Sequence, residues 1–324
     1  GLVVLVDGKV LMEYGDVVAR GYIAGARTAI LAMLFGNPVA EGTIRLDATL
    51  GDLGLDDRGG LLPVEKLATV EQLLTGRSGV YHPSAFLWDP KTTPARGSKG
   101  PGTYFFGHQW GALAACDVYE RMTGRDFYQA VQEDLAEPLA LQDFRWSRHR
   151  KYGQEQRSQY LIYDLYFSAR DLARIGQLML QHGEWEGRQL IPRDWVARIT
   201  SVVTPREELD TEVDRERPLG FGYYWWVWQN PDPMGPYAGA FTTRGQYGQY
   251  LTVLPALHMV VAHQVRAGYS APTTSTSWEE YEGLLDRLIA ARCPERGGCE
   301  AASSNAPARA APVSRQGAAS ATRW

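Results

Sequence analysis

The sequence predicts an α/β (α+β) fold, an antiparallel sheet flanked by helices, with a large helical insertion between its first and last strands. Three observations carry that expectation. Two apolar runs flank Asp7-Gly8-Lys9 at the start of the chain, and such a hairpin is not stable alone. Runs rich in Val, Tyr and Trp gather after residue 220, and a long stretch of helical periodicity lies between. The simplest arrangement pairs the hairpin with the late strands in one sheet. Residues 1–24 and 220–292 would then form the sheet part, 25–219 the inserted helical part, and 293–324 a disordered tail.

Each element has a local reason. Asp-Gly tolerates positive φ at both turn positions, so residues 2–6 and 10–14 read as a hairpin. Residues 28–35 are apolar on nearly every side, the mark of a buried helix, and Gly36-Asn37-Pro38 is expected to stop it. Residues 83–102 are rich in Pro, Gly, Ser, Thr and Lys and read as a long surface or site-covering loop. Helical periodicity returns at 110–122, 127–135, 169–182 and 192–199. Residues 221–228, 248–254 and 258–265 read as successive antiparallel strands, the last two separated by Pro255-Ala256-Leu257. A final amphipathic helix spans 278–292. Beyond Cys293 the chain is mostly Ala, Ser, Pro, Gly and Arg, the composition of a disordered segment.

Composition bounds the function. At 324 residues the chain can bury a full core. A net charge of −4 and a pI near 5.9 give no reason to expect a nucleic-acid partner. No apolar run reaches membrane-spanning length. Cys116, Cys293 and Cys299 fit neither a disulfide framework nor a zinc site. No metal or other cofactor is expected, and the expected partner is a small-molecule ligand or substrate. Gly1 already lies within a strand pattern, as in a processed or partial chain, and nothing in the sequence assigns a compartment or an oligomeric state.

Several stretches point together to one family. They include Gly42-Thr-Ile-Arg-Leu-Asp-Ala-Thr-Leu50, Arg77-Ser-Gly-Val-Tyr-His82, Pro101-Gly-Thr103, Ser168-Ala-Arg-Asp-Leu-Ala-Arg-Ile-Gly176, Gly222-Tyr-Tyr-Trp-Trp226 and Gly248-Gln249. In order and spacing, over nearly all of residues 1–292, the chain resembles the serine β-lactamase and penicillin-binding protein superfamily. The likeness is to the class C-like branch that includes esterases and 6-aminohexanoate-dimer hydrolases. The resemblance implies a Ser-x-x-Lys nucleophile at the head of the buried helix, a Tyr-x-Asn on a loop, and a Lys/His-x-Gly on a cleft-lining strand.

The residues at those places differ. After the family-like Tyr22-Ile-Ala24, Gly25 stands at the nucleophile's place and Thr28 at the lysine's. The five lysines are preceded, three residues earlier, by Val6, Pro63, Trp88, Arg96 and Arg148, so Ser-x-x-Lys occurs nowhere in the chain. Gly107 and Gln109 take the Tyr and Asn places, and Thr243-Arg244-Gly245 keeps the glycine of the third motif without its cation. Ordinary serine acylation is therefore expected to be absent.

The catalytic candidates left are the Thr28 hydroxyl, the His108 imidazole as a base near neutral pH, and Tyr163, placed by the resemblance where related hydrolases have a cleft tyrosine. Candidate ligand-binding residues are Gly25, Gly107, Gln109, Tyr163, Arg244 and Gly245, with Arg244 suited to meet a carboxylate. Each has a plainer role available. Thr28 could bond backbone, His108 could be an exposed loop residue, Tyr163 could pack, and Arg244 could be solvated. Three functions follow: a catalytically silent family member binding a small amide, ester or peptide-like ligand; an enzyme of altered chemistry in the same cleft, such as a non-acylating hydrolase, cyclase or lyase; or an altered copy of an active serine hydrolase.

Overall fold

Asp7 and Gly8 take positive φ (50° and 71°), as a tight hairpin turn requires. In the computed structural model, which describes residues 1–86, 88–107, 109–266 and 274–292, this turn joins β1 (Leu2–Val6) to β2 (Lys9–Tyr14). After β3 (Gly21–Tyr22) the chain enters α1 (Arg27–Leu34), buried at almost every residue. The Gly36-Asn37-Pro38 stop proves to be a bend, because α2 (Gly36–Ala40) follows at once. Pro38 is its third residue, in the first turn, where a missing N–H leaves little unsatisfied. Gly36 is needed for packing, since a Cβ there would lie 2.7 Å from the Trp195 ring.

The inserted middle is helical. α3 (Val70–Leu74) starts on a capping box made by Thr69 and Gln72. α4 (Gln109–Thr123) and α5 (Phe127–Val131), the latter capped by Asp126, pack behind it. Short ladders β4 (Lys151–Tyr152) with β5 (Ile162–Tyr163), and β6 (Tyr166–Phe167) with β3, lead to α6 (Ala169–Leu180), capped by Ser168. The hairpin β7 (Glu184–Trp185) and β8 (Arg188–Gln189), then α7 (Arg193–Ile199) and α8 (Glu212–Arg215), complete it.

The chain then returns to the sheet through β9 (Leu219–Phe221), β10 (Trp226–Trp228), β11 (Phe241–Gly245), β12 (Gln249–Leu254) and β13 (Met259–His263), and closes with α9 (Trp278–Arg292). Among the described residues these make a seven-stranded antiparallel sheet of order β2-β1-β13-β12-β11-β10-β9, so the first hairpin does join the late strands. Residues 221–228, expected as one strand, are instead the β9–β10 hairpin. Gly222 N–H donates to the Trp225 carbonyl across its turn, and Tyr224 adopts φ 61°. A Cβ on Gly222 would come within 2.6 Å of the Ile199 and Ser201 carbonyls, so the turn is pressed against the end of α7.

Strand alternation sends Val3, Leu5, Leu251, Val253 and Val260 toward the helical layer, and Leu2, Val4, Leu254, Met259 and Val261 toward α9. Both faces are covered, which is why the central strands read as nearly unbroken apolar runs. Residues 293–324, expected to be disordered, lie outside the described residues.

Candidate functional site

A cavity of about 170 Å³ opens where the head of α1 meets β11, the β9–β10 hairpin, and the loops before α4. Gly25, Thr28, Gly107, Gln109 and Arg244 all line it, so five of the residues singled out by sequence share one cleft. The sheet supplies one wall and the helical insertion the other, a usual place for a ligand site.

Gly25 lies against β11. A Cβ at that position would be 2.9 Å from the Arg244 carbonyl oxygen, closer than a side-chain carbon and a backbone oxygen settle without movement. Gly245 stands just behind, outside the cavity lining, where a Cβ would fall 2.3 Å from the Ile23 carbonyl. Its role is the close approach of β11 to the chain entering α1. The Thr28 hydroxyl donates to the Gly25 carbonyl at 2.9 Å, the local backbone bond typical of threonine early in a helix.

Gln109, the first residue of α4, accepts at Oε1 from the Arg27 guanidinium at 2.7 Å. Arg27 is 1% exposed, also donates to the Ala24 carbonyl at 2.9 Å, and lies 5.1 Å from the centre of the Tyr163 ring. Tyr163, expected in the cleft, is instead fully buried below it and absent from the cavity lining. Its ring packs edge-on to Phe127 and its hydroxyl faces the Ala112 carbonyl at 3.4 Å. Burial pushes that phenol far above its ordinary range. The physical reason is position: β5 runs beneath α4, so its side chains meet the core. His108 lies outside the described residues.

Gly107 N–H donates to the Asp210 carboxylate at 3.1 Å. Burial raises that carboxyl, against the opposing effect of the Gly107 bond. A Cβ on Gly107 would lie 3.9 Å from the same carboxylate oxygen, so Asp210 stands close to the space a side chain at 107 would enter. Arg244 lines the cavity with its side chain mostly buried. It donates to Asp214 at 2.8 Å and is stacked between Trp226 (4.5 Å) and Trp278 (5.2 Å). Burial lowers the Arg244 guanidinium, with Asp214 working the other way. Arg217 donates to the same Asp214 oxygen at 2.7 Å and to Glu279 at 2.9 Å, closing a four-member ion network. Burial alone would raise the Asp214 carboxyl, but Arg244 and Arg217 hold it below its ordinary value.

Phe105, Phe106, Phe221, Trp226 and Tyr81 give the cleft an aromatic wall. The Tyr81 hydroxyl is buried with no hydrogen-bond partner, and burial pushes it up to about 12. Arg27 and Asp210 were not among the candidates drawn from the sequence. Arg27 had a signal, a charge at the head of an otherwise apolar helix. Asp210 had none, since it reaches Gly107 from a loop more than a hundred residues away. Among the described residues no group of three or more His, Cys, Asp or Glu could hold a metal ion, and no helix is long and apolar enough to cross a membrane.

With this geometry in view, the beta-lactamase family model matches residues 29–281. The chain belongs to the beta-lactamase family. Its fold is that of β-lactamase and penicillin-binding protein structures. It resembles a candidate 6-aminohexanoate-dimer hydrolase from Bacillus anthracis, at 19% identity and a TM-score of 0.62, over 90% of this chain and 78% of that one. It also resembles a penicillin binding protein from Bacillus halodurans, at 13% identity and a TM-score of 0.62, over 89% and 94%. A third is an octameric penicillin-binding protein homologue from Pyrococcus abyssi, at 17% identity and a TM-score of 0.62, over 89% and 72%. At such identities the likeness carries the fold. Comparison with curated protein sequences finds no match.

Proposed function

We propose that this family member does not acylate and instead binds a small amide, ester or peptide-like molecule in the cleft. One observation carries the reading. The place the family resemblance gives to the nucleophile holds Gly25, packed so that any side chain would press on the Arg244 carbonyl, while the cleft around it stays open and polar on one side. Thr28 supports the same view, because its proton is given to backbone and the lysine that would activate it is a residue type this cleft lacks.

Thermal-shift titration with β-lactams and D-amino-acid amides tests binding without assuming turnover. A saturable rise in melting temperature is expected with at least one class. Stoichiometric labelling of a single residue by a fluorophosphonate or a fluorescent penicillin would overturn the non-acylating reading.

A second reading draws on Asp210. A half-buried carboxyl with a raised pKa beside Gly107 has the character of a general acid or base. Under this reading the cleft runs altered, non-acylating chemistry. Turnover of an ester, amide or cyclisable substrate that is abolished in Asp210→Asn, with binding retained, would favour it.

A further inference from the structure

We propose that the ligand of this cleft carries a carboxylate, drawn to the cavity-lining Gln109 amide and the Arg27 guanidinium buried behind it, with an apolar or aromatic body against the Phe105–Phe106–Trp226 wall. The inference rests on the reading of the cleft as a ligand site and adds the ligand's charge and the groups that select it.

The first ground is an unbalanced buried charge. Arg27 is 1% exposed, and its hydrogen-bond partners are the Ala24 carbonyl and the Gln109 amide oxygen, both neutral. Its Nε is buried without an acceptor. Among the described residues no carboxylate lies within ion-pair distance of it, whereas Arg244 and Arg217 share Asp214. A buried guanidinium held only by neutral groups is costly, and an anion arriving nearby relieves that cost.

The second ground is the orientation of Gln109. Arg27 fixes the amide oxygen inward, so the amide NH₂ is left as the donating end of a side chain that lines the cavity. Donation to a carboxylate there is strengthened by the guanidinium bonded to the other end of the same amide. The third ground is the head of α1. Gly25 and Thr28 line the cavity, the first turn of this eight-residue helix holds no acidic residue, and no side chain caps it. The positive end of the helix therefore adds to the same field.

The acids bonded to cavity-lining residues do not cancel this. Asp210 is bonded to the Gly107 N–H and Asp214 to two arginines, and neither pairs with Arg27. The aromatic wall and the cavity volume of about 170 Å³ favour a body the size of a single ring.

Calorimetric titration of the full chain with phenylacetate and with phenylacetamide, two ligands alike but for the charge, tests the inference. The acid is expected to bind ~10- to 100-fold more tightly than the amide, the range of a charge-assisted hydrogen bond. Arg27→Met and Gln109→Leu should each erase that preference. Arg27→Met should do so without the fall in melting temperature that loss of a structural arginine would bring, since an apolar isostere of a buried charge is often neutral or stabilising. Should Arg27→Met not fold, Gln109→Leu decides alone. Equal or tighter binding of the amide, an unchanged preference in the variants, or equal binding of sulfate would overturn the inference while leaving the cleft a ligand site. Failure of acid, amide, β-lactams and D-amino-acid amides alike would remove the ligand-site reading, and this inference with it.

Discussion

Gly25 and the Arg244 carbonyl face each other at a distance that leaves no room for a Cβ. Gly25→Ser should therefore cost stability, by roughly 1–3 kcal/mol as for other overpacked sites, and acquire no labelling by fluorescent penicillin. Adding Thr28→Lys should not restore labelling, because on the family resemblance Gly107 and Gln109 still stand where the second motif would be. Labelling of the double variant would show that two changes suffice. Away from the cleft, Asp57 accepts four hydrogen bonds. It accepts from Trp110 Nε1 (2.7 Å), Ser158 Oγ (2.6 Å) and the Arg58 and Gln159 N–H groups (2.7 and 2.8 Å), with His82 Nδ1 3.3 Å away. Asp57→Ala strands all of these donors in the interior, and a loss of about 3–5 kcal/mol in urea unfolding is expected. At this scale the sequence was legible where residue types could be enumerated. Five lysines could be checked one by one. It was not legible where burial decides, so Arg27 and Asp57 passed unremarked, and for Tyr163 the choice between a cleft position and packing stayed open until the structure showed it packed.

Elements were read best where pattern and tertiary setting agree. The Asp7-Gly8 hairpin and the helix Trp278–Arg292 occupy the residues their patterns predict, because turn chemistry and amphipathic spacing act locally. The hairpin at 219–228 was hidden, because its turn residues are aromatic and their apolar character imitates a strand. Glycines within helices separate the two kinds of constraint. A Cβ on Gly176, in the middle of α6, would lie 2.4 Å from Val260 Cγ1 and 2.7 Å from Leu251 Cδ1, because here the helix lies directly on β12 and β13. A Cβ on Gly283 in α9 meets nothing within 4 Å. Gly176→Ala should destabilise by about 1–3 kcal/mol through overpacking. Gly283→Ala should stabilise by roughly 0.5–1 kcal/mol through helix propensity alone. Denaturant midpoints of the two variants give the comparison, and equal effects would mean that α6 rides higher on the sheet than described.

For the whole molecule, stability against pH reports two buried groups with opposite sign. Asp171 is fully buried in α6, and burial, helped by the nearby Asp143, pushes its carboxyl up to about 6 against the Gln142 and Asp143 N–H bonds it accepts. The native state therefore holds a proton that the unfolded chain has already released. Its contribution to stability is fully present below the unfolded value near 4 and is lost as pH rises through about 6, which amounts to about 3 kcal/mol at most. His149 stacks between Tyr128 and Phe144, and burial lowers it to about 4. Here the unfolded chain binds the extra proton. That contribution is present above about 6.5 and is lost as pH falls toward 4. Between about pH 4.5 and 6 the two slopes oppose one another. Subtracting the wild-type profile from each variant's removes every other titration common to both. Asp171→Asn minus wild type should rise with pH across this window, and His149→Phe minus wild type should fall. Urea unfolding at half-unit steps of pH measures both differences. Slopes of the same sign, or a flat difference for Asp171→Asn, would show that the α6 carboxyl titrates as an ordinary aspartate and that its burial is relieved by water.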